Sequence, residues 1–167
     1  MEEVRIVPTG ETHVEGIARA LDIVARERRY IGFIEGPPLE GARRFIKDIL
    51  AGAGVQMVAV RGHEVVGWCD IIRNPIVGFQ HVGRLGMGLL PDCRGLGLGK
   101  RIAVETIRAA HEAGMERIEL EVFASNGRAI SLYQSLGFVV EGVKKRSRKL
   151  DGEYDDNVLM ALLGERR

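Results

Sequence analysis

The run Arg94-Gly95-Leu96-Gly97-Leu98-Gly99-Lys100 places glycine at every second position between a strand-like segment ending at Leu90-Pro91 and a helical segment beginning near Leu98. Few connections need that composition. Glycine removes the Cβ where backbone must approach a ligand closely, and it permits the positive φ that lets successive N–H groups converge on one anion. A helix starting directly after such a turn adds its own unpaired N–H groups and the positive end of its macrodipole. The run therefore predicts a strand, loop and helix unit whose loop is either a plain turn or a phosphate cradle.

Two familiar phosphate loops do not fit these letters. The Walker loop needs four residues between its first glycine and Gly-Lys, then Ser or Thr for magnesium. Here three residues separate Gly95 from Gly99, and Arg101 follows Lys100. The dinucleotide fingerprint needs a third glycine further on and an acidic ribose ligand at the end of the next strand. What fits is Arg-x-x-Gly-x-Gly, read as Arg94, Gly97 and Gly99. This resembles the coenzyme A pyrophosphate loop of the GNAT superfamily of acyl-CoA-dependent N-acyltransferases. Further family features follow in order: a strand over residues 81–90, a helix after the loop, a strand over 117–122, Asn126-Gly127-Arg128-Ala129-Ile130-Ser131-Leu132-Tyr133, and Leu136-Gly137-Phe138. The match covers residues 81–138 and continues more loosely to Leu163.

The resemblance implies an α/β (α+β) fold with a mixed, mostly antiparallel central sheet, a splayed and bulged strand, and helices on both faces. It implies acetyl-CoA as cosubstrate and no metal. Arg94, Gly95, Gly97, Gly99 and Lys100 would hold the pyrophosphate, and Met87 and Leu89 would offer main-chain hydrogen bonds to the pantetheine arm and the thioester oxygen. Asn126 would contact the coenzyme while also capping the following helix, and Tyr133 would protonate the departing sulfur. The implied activity is acetyl transfer to a primary amine, by direct attack in a ternary complex, with a small molecule such as an amino acid as acceptor. A protein or peptide amine and a non-catalytic acyl-CoA-binding module are the alternatives.

Several of these residues have a plainer reading. Ala129, Leu132, Tyr133 and Leu136 form one apolar stripe, so Tyr133 also reads as core. The family often carries its base as a glutamate on the splayed strand, whereas this strand supplies His81 and no carboxylate. Histidine titrates in the right range. Asp70, Glu35 in the loop before the paired prolines, and a water relay are its rivals. Gly83, Gly86 and Gly88 are too many for an ordinary core strand and mark close backbone approach. The basic run 144–149 falls on a strand, where alternation divides its charge between two faces.

With 167 residues the chain reads as one domain over 1–167. The net charge is +1 and the charges are mixed, which predicts no nucleic-acid or membrane partner. The opening Met1-Glu2-Glu3-Val4-Arg5 lacks a leader-like apolar run, so a cytoplasmic location is expected. Cys69 and Cys93 read as free thiols. A homodimer stays open as the assembly.

Periodicity fills in the remaining elements. Val4, Ile6 and Val7 predict a first strand, and residues 11–29 a helix with Val14, Ile17, Ala18 and Leu21 inward. After Gly36-Pro37-Pro38, a second helix is expected over 39–50, stopped by Gly52 and Gly54. A hairpin follows over 56–60 and 65–72, with His63-Glu64 near its turn. The helix after the cradle carries Ala103, Ile107 and Ala110 on one side and Arg101, Glu105, Arg108 and Glu112 on the other. A short helix over 128–136 closes at Gly137, and strands over 138–149 and 154–163 flank Asp151-Gly152.

Overall fold

The structure is a computed structural model that describes residues 3–164. Met1 and Glu2, and with them part of the N-terminal stretch read for a leader, lie outside the described residues, as do the last positions of the 1–167 range.

Strand β1 (Val4–Pro8) is followed by one tight turn and helix α1 (Val14–Arg26), which buries Val14, Ile17, Ala20 and Val24. The helix stops short of the expected residue 29 because Arg28 adopts φ 59°. Beyond that turn the Arg28 guanidinium donates to Asp151 Oδ1 at 2.7 Å, tying the end of the helix to the turn at Asp151-Gly152. Helix α2 (Leu39–Asp48) starts after Pro38, whose missing N–H costs nothing at a helix N-terminus, and it unwinds through a wider turn to Gly52 at φ 101°.

The sheet then assembles from β2 (Gly54–Arg61), β3 (Glu64–Arg73), β4 (Val82–Leu89), β5 (Arg117–Phe123), β6 (Val139–Leu150) and β7 (Glu153–Leu163). Helix α3 (Leu98–Glu112) crosses from β4 to β5, and α4 (Gly127–Ser135) leads to β6. The strand order is β1-β2-β3-β4-β5-β7-β6. Every neighbouring pair is antiparallel except β4 and β5. Those two run parallel and pair over only three residues, Val82 with Arg117, Gly83 with Ile118 and Arg84 with Glu119. Beyond Arg84 they part.

The opening is a splay rather than a bulge in β4. Its register with β3 is continuous from Gly83 opposite Arg73 to Leu89 opposite Gly67, and the register shifts of this sheet lie between Ala59 and Val60 and within the β6–β7 pair. The core fills both faces, with Ile71, Ile102, Ile118 and Met160 among its fully buried side chains. On α3 the predicted outer face is ion-paired, Arg108 holding Glu105 and Glu112. The basic run of β6 is broken as well as divided: Arg146 takes φ 51° at the register shift, while Lys144 reaches inward to Glu121 and Lys145 bonds Asp156. Cys69 and Cys93 are free and buried. Among the described residues no helix is long and apolar enough to cross a membrane.

Candidate active site

Hydrogen bonding in an antiparallel pair alternates, so every second residue turns its N–H and C=O away from the partner strand. The bonds from Leu90 N–H to the Val66 carbonyl and from Asn74 N–H to the Val82 carbonyl, each 2.9 Å, assign the even-numbered residues of β4 to β3. Leu85, Met87 and Leu89 therefore aim their main-chain groups toward β5. The splay has removed β5 from that position, which leaves these groups facing a gap.

The gap opens into a cleft of about 1060 Å³ that reaches the glycine loop at one end and α1 and α2 at the other. Gly95 and Gly97 adopt φ 78° and 76°, the left-handed backbone anticipated for a cradle. Gly97 is also the N-terminal flank of α3, whose first internal bond runs from Arg101 N–H to the Gly97 carbonyl. The N–H groups of Leu98, Gly99 and Lys100 thus have no partner inside the helix. Lys100 and Arg128 line the cleft beside them, and neither forms an ion pair among the described residues. Arg128 was not anticipated; it packs so closely that a Cβ on Gly95 would lie 2.7 Å from its guanidinium.

Arg94 occupies the expected place but is committed within the protein. Its guanidinium bonds both oxygens of Glu27 and the Leu89 carbonyl, and it lies 4.6 Å from the Tyr30 ring centre. The Glu27 carboxylate beside it raises its pKa further above the usual arginine range. The side chain braces the loop and occupies the Leu89 carbonyl. Asn126 caps α4, its Oδ1 accepting from Ala129 N–H at 3.2 Å, and it lines the cleft from that position.

Two titratable groups approach the gap from opposite faces of the sheet. Met87 and Leu89 lie under α3, where a Cβ on Gly99 would sit 3.6 Å from Met87 Cε and 3.5 Å from Leu89 Cδ1. Tyr133 of α4 lies on this side, only 7% exposed, with its ring tilted against Phe138 at 5.7 Å between centres. Burial raises its phenol pKa, so the hydroxyl stays protonated. Because side chains alternate along a strand, Trp68, Asp70, Gly86 and Gly88 occupy the other face. Asp70 lies there opposite Gly86, where a Cβ would come 3.5 Å from its Oδ1.

Burial pushes the Asp70 carboxyl up to about 7. Gln56, its cross-strand neighbour, acts in the opposite direction, and within hydrogen-bond geometry its amide closes no bond to the carboxylate. Glu121 also reaches the cleft, from β5, where hydrogen bonds from Lys144 and Asn157 hold its carboxyl below the usual range.

The other proposed bases are elsewhere. His81 is exposed at the far end of β4 from Leu89, where its carbonyl accepts from Glu116 and Arg117 N–H, and it does not line the cleft. Glu35 is exposed and also outside the cleft. Gln56 and Glu121 were missed as cleft residues by the sequence. Strand alternation placed Glu121 on a wet face, but only the splay makes that face a cleft wall.

A sequence profile of the Acetyltransferase (GNAT) family matches residues 17–138, from α1 through the cradle to Tyr133 and beyond. Over 66 residues the chain is 39% identical to the mycothiol acetyltransferase of Paenarthrobacter aurescens, covering 40% of this chain and 19% of that protein. Over 107 residues it is 32% identical to the L-amino acid N-acetyltransferase AaaT of Escherichia coli, covering 64% of this chain and 66% of that one. The chain therefore spans about a fifth of the mycothiol enzyme and just under two thirds of the amino acid enzyme. Its fold superposes on the Salmonella typhimurium acetyltransferase yncA, solved with acetyl-CoA, at a TM-score of 0.91 with 17% identity, covering 98% of this chain and 95% of the other. The profile spans most of the chain and takes in both the cradle and the splayed strand, and on that ground the chain belongs to the GNAT family of acetyltransferases.

Proposed function

We propose that this protein transfers the acetyl group of acetyl-CoA to the primary amine of a small acceptor such as an amino acid. The carrying observation is the β4–β5 opening, which brings Asp70 and Tyr133 to one cleft from opposite faces of the sheet. The residues present fit acetyl-CoA. Positive-φ glycines and the open N–H groups of α3 suit a pyrophosphate, Lys100 and Arg128 add charge, and the unpaired main-chain groups of Leu85 and Met87 suit an amide-bearing arm.

When bound, acetyl-CoA supplies an activated acetyl thioester. Leu89 N–H, directed into the gap, would donate to the thioester oxygen, a contribution that for one such donor is about 2.7–4 kcal/mol. Tyr133, held neutral by burial, keeps a proton for the sulfur. Asp70 takes the base role in place of His81, because it lines the cleft and titrates near neutrality. Glu121 is the weaker base, since its hydrogen bonds stabilise the ionised form.

A small acceptor is favoured by the segment between α1 and α2. Gly36 N–H bonds Asp22 Oδ1 at 2.8 Å, and Tyr30, Ile31 and Phe33 join the cleft wall. An anchored segment in the cleft wall suits a small acceptor held against it. The cytoplasmic setting belongs to the same proposal. Thiol release from acetyl-CoA against a panel of amines, amino acids and short peptides tests the assignment. Turnover with amino acids and not with peptides is expected, preference for peptides moves the acceptor class, and no turnover with any amine leaves a binding module.

A further inference from the structure

The side chain of Gln56 is 4% exposed, and neither its Nε2 nor its Oε1 has a hydrogen-bond partner among the described residues. That arrangement is unfavourable. A buried amide without partners costs stability, and native proteins leave few such groups. The residue lines the cleft, and its register places it opposite Asp70 on the neighbouring strand, on the sheet face beneath α1. The structure thus sets two polar groups with free oxygens on neighbouring strands, in a cleft that Trp68, Leu21 and Phe45 also line.

We propose that Gln56 reads the acceptor's amino group, its Oε1 accepting one N–H while Asp70 accepts another, and that this pair selects primary over secondary amines. The inference rests on the acetyltransferase reading above and deepens it. In the reaction the nitrogen lone pair forms the N–C bond as the C–S bond breaks. One proton of the nitrogen goes to Asp70, and the sulfur takes its proton from Tyr133. A neutral primary amine has a lone pair and two N–H groups, enough for the acetyl carbon, Asp70 and Gln56 at once. A secondary amine has a single N–H. It must leave either the base or the buried amide bare, and its extra alkyl group would press on Gln56.

The test uses Gln56→Met, which keeps the shape and removes the amide, and Gln56→Leu as a second variant. Each is compared with the wild type in thermal unfolding, in acetyl-CoA KM, and in turnover of the best acceptor from the amine panel and of its N-methyl derivative. The expected result is a melting temperature equal to or above the wild type, an unchanged acetyl-CoA KM, and an acceptor KM raised about two- to tenfold, the worth of one hydrogen bond. The wild-type preference for the primary amine should collapse toward one. An unchanged acceptor KM and unchanged preference in an active variant overturns the proposal, and so does a fall in melting temperature in both variants, which assigns the amide to structure. If the wild type acetylates no amine, the transferase reading itself fails and takes this proposal with it, an outcome distinct from an active wild type with indifferent variants.

Discussion

Arg94 and Glu27 meet through two charge-assisted hydrogen bonds, 2.8 Å and 2.5 Å long, joining the glycine loop to the C-terminal end of α1. Their side chains are 19% and 25% exposed, enough burial for the pair to resist screening by salt. Arg94→Ala and Glu27→Ala should each lower stability by about 1.5–3 kcal/mol, the range for hydrogen bonds to charged groups. The double variant should cost little more than either single one. Acetyl-CoA affinity separates brace from ligand. If Arg94 braces the loop, Glu27→Ala weakens binding as Arg94→Ala does; a guanidinium that served phosphate would bind at least as well once Glu27 released it.

Gly97 tests the cradle. A Cβ there meets nothing within 4 Å in the protein, but φ 76° imposes strain of about 1–2 kcal/mol on an L side chain. Gly97→Val should therefore fold, melt lower, and lose acetyl-CoA affinity strongly, because its side chain fills space where a ligand approaches backbone. Calorimetry with unchanged affinity in the folded variant would remove the loop from the coenzyme site.

Tyr133→Phe keeps the ring against Phe138 and deletes the hydroxyl, which bonds no described residue. A proton donor to the leaving sulfur should show kcat reduced by on the order of 10²–10⁴, with acetyl-CoA affinity and melting temperature little changed. Wild-type kcat in this variant would return Tyr133 to a packing role.

Asp70 should appear in two pH profiles. As a base it must be ionised, so kcat/KM should rise with pH through about 7, and Asp70→Asn should abolish that limb. Stability runs the other way. The folded carboxyl titrates near 7 and the unfolded one near 3.8, so between these values the folded state holds the extra proton. Its stabilising contribution is complete below the unfolded value and is lost as pH rises through the folded one. The melting temperature of Asp70→Asn relative to the wild type should increase from about pH 5 to about pH 8. A flat difference would mean that Asp70 is ionised throughout.

The elements whose signals were local were legible in the sequence. The α3 stripe, the β5 alternation, the left-handed Gly95 and Gly97 and the Asn126 cap all follow from short-range rules. What the sequence could not convey was pairing between distant strands. His81 was attractive because it sits on the right strand, yet strand membership does not say which end of β4 meets the cleft. Asp70 gains its proposed role from the register that puts it opposite Gly86, and Gln56 from lying one strand further on. Arg94 matched a motif letter for letter, but its commitment to Glu27 bridges 67 positions and leaves no local trace.

The three-residue seam between β4 and β5 has a mechanical consequence. One half-sheet, β1 through β4, is hydrogen-bonded to the other, β5, β7 and β6, only along this seam at the edge of the opening. A chain-like guest lying along Leu85, Met87 and Leu89 would act as a missing strand and rivet the halves together. Loading the cleft should then protect those amide protons from exchange with solvent and make the two halves unfold as one.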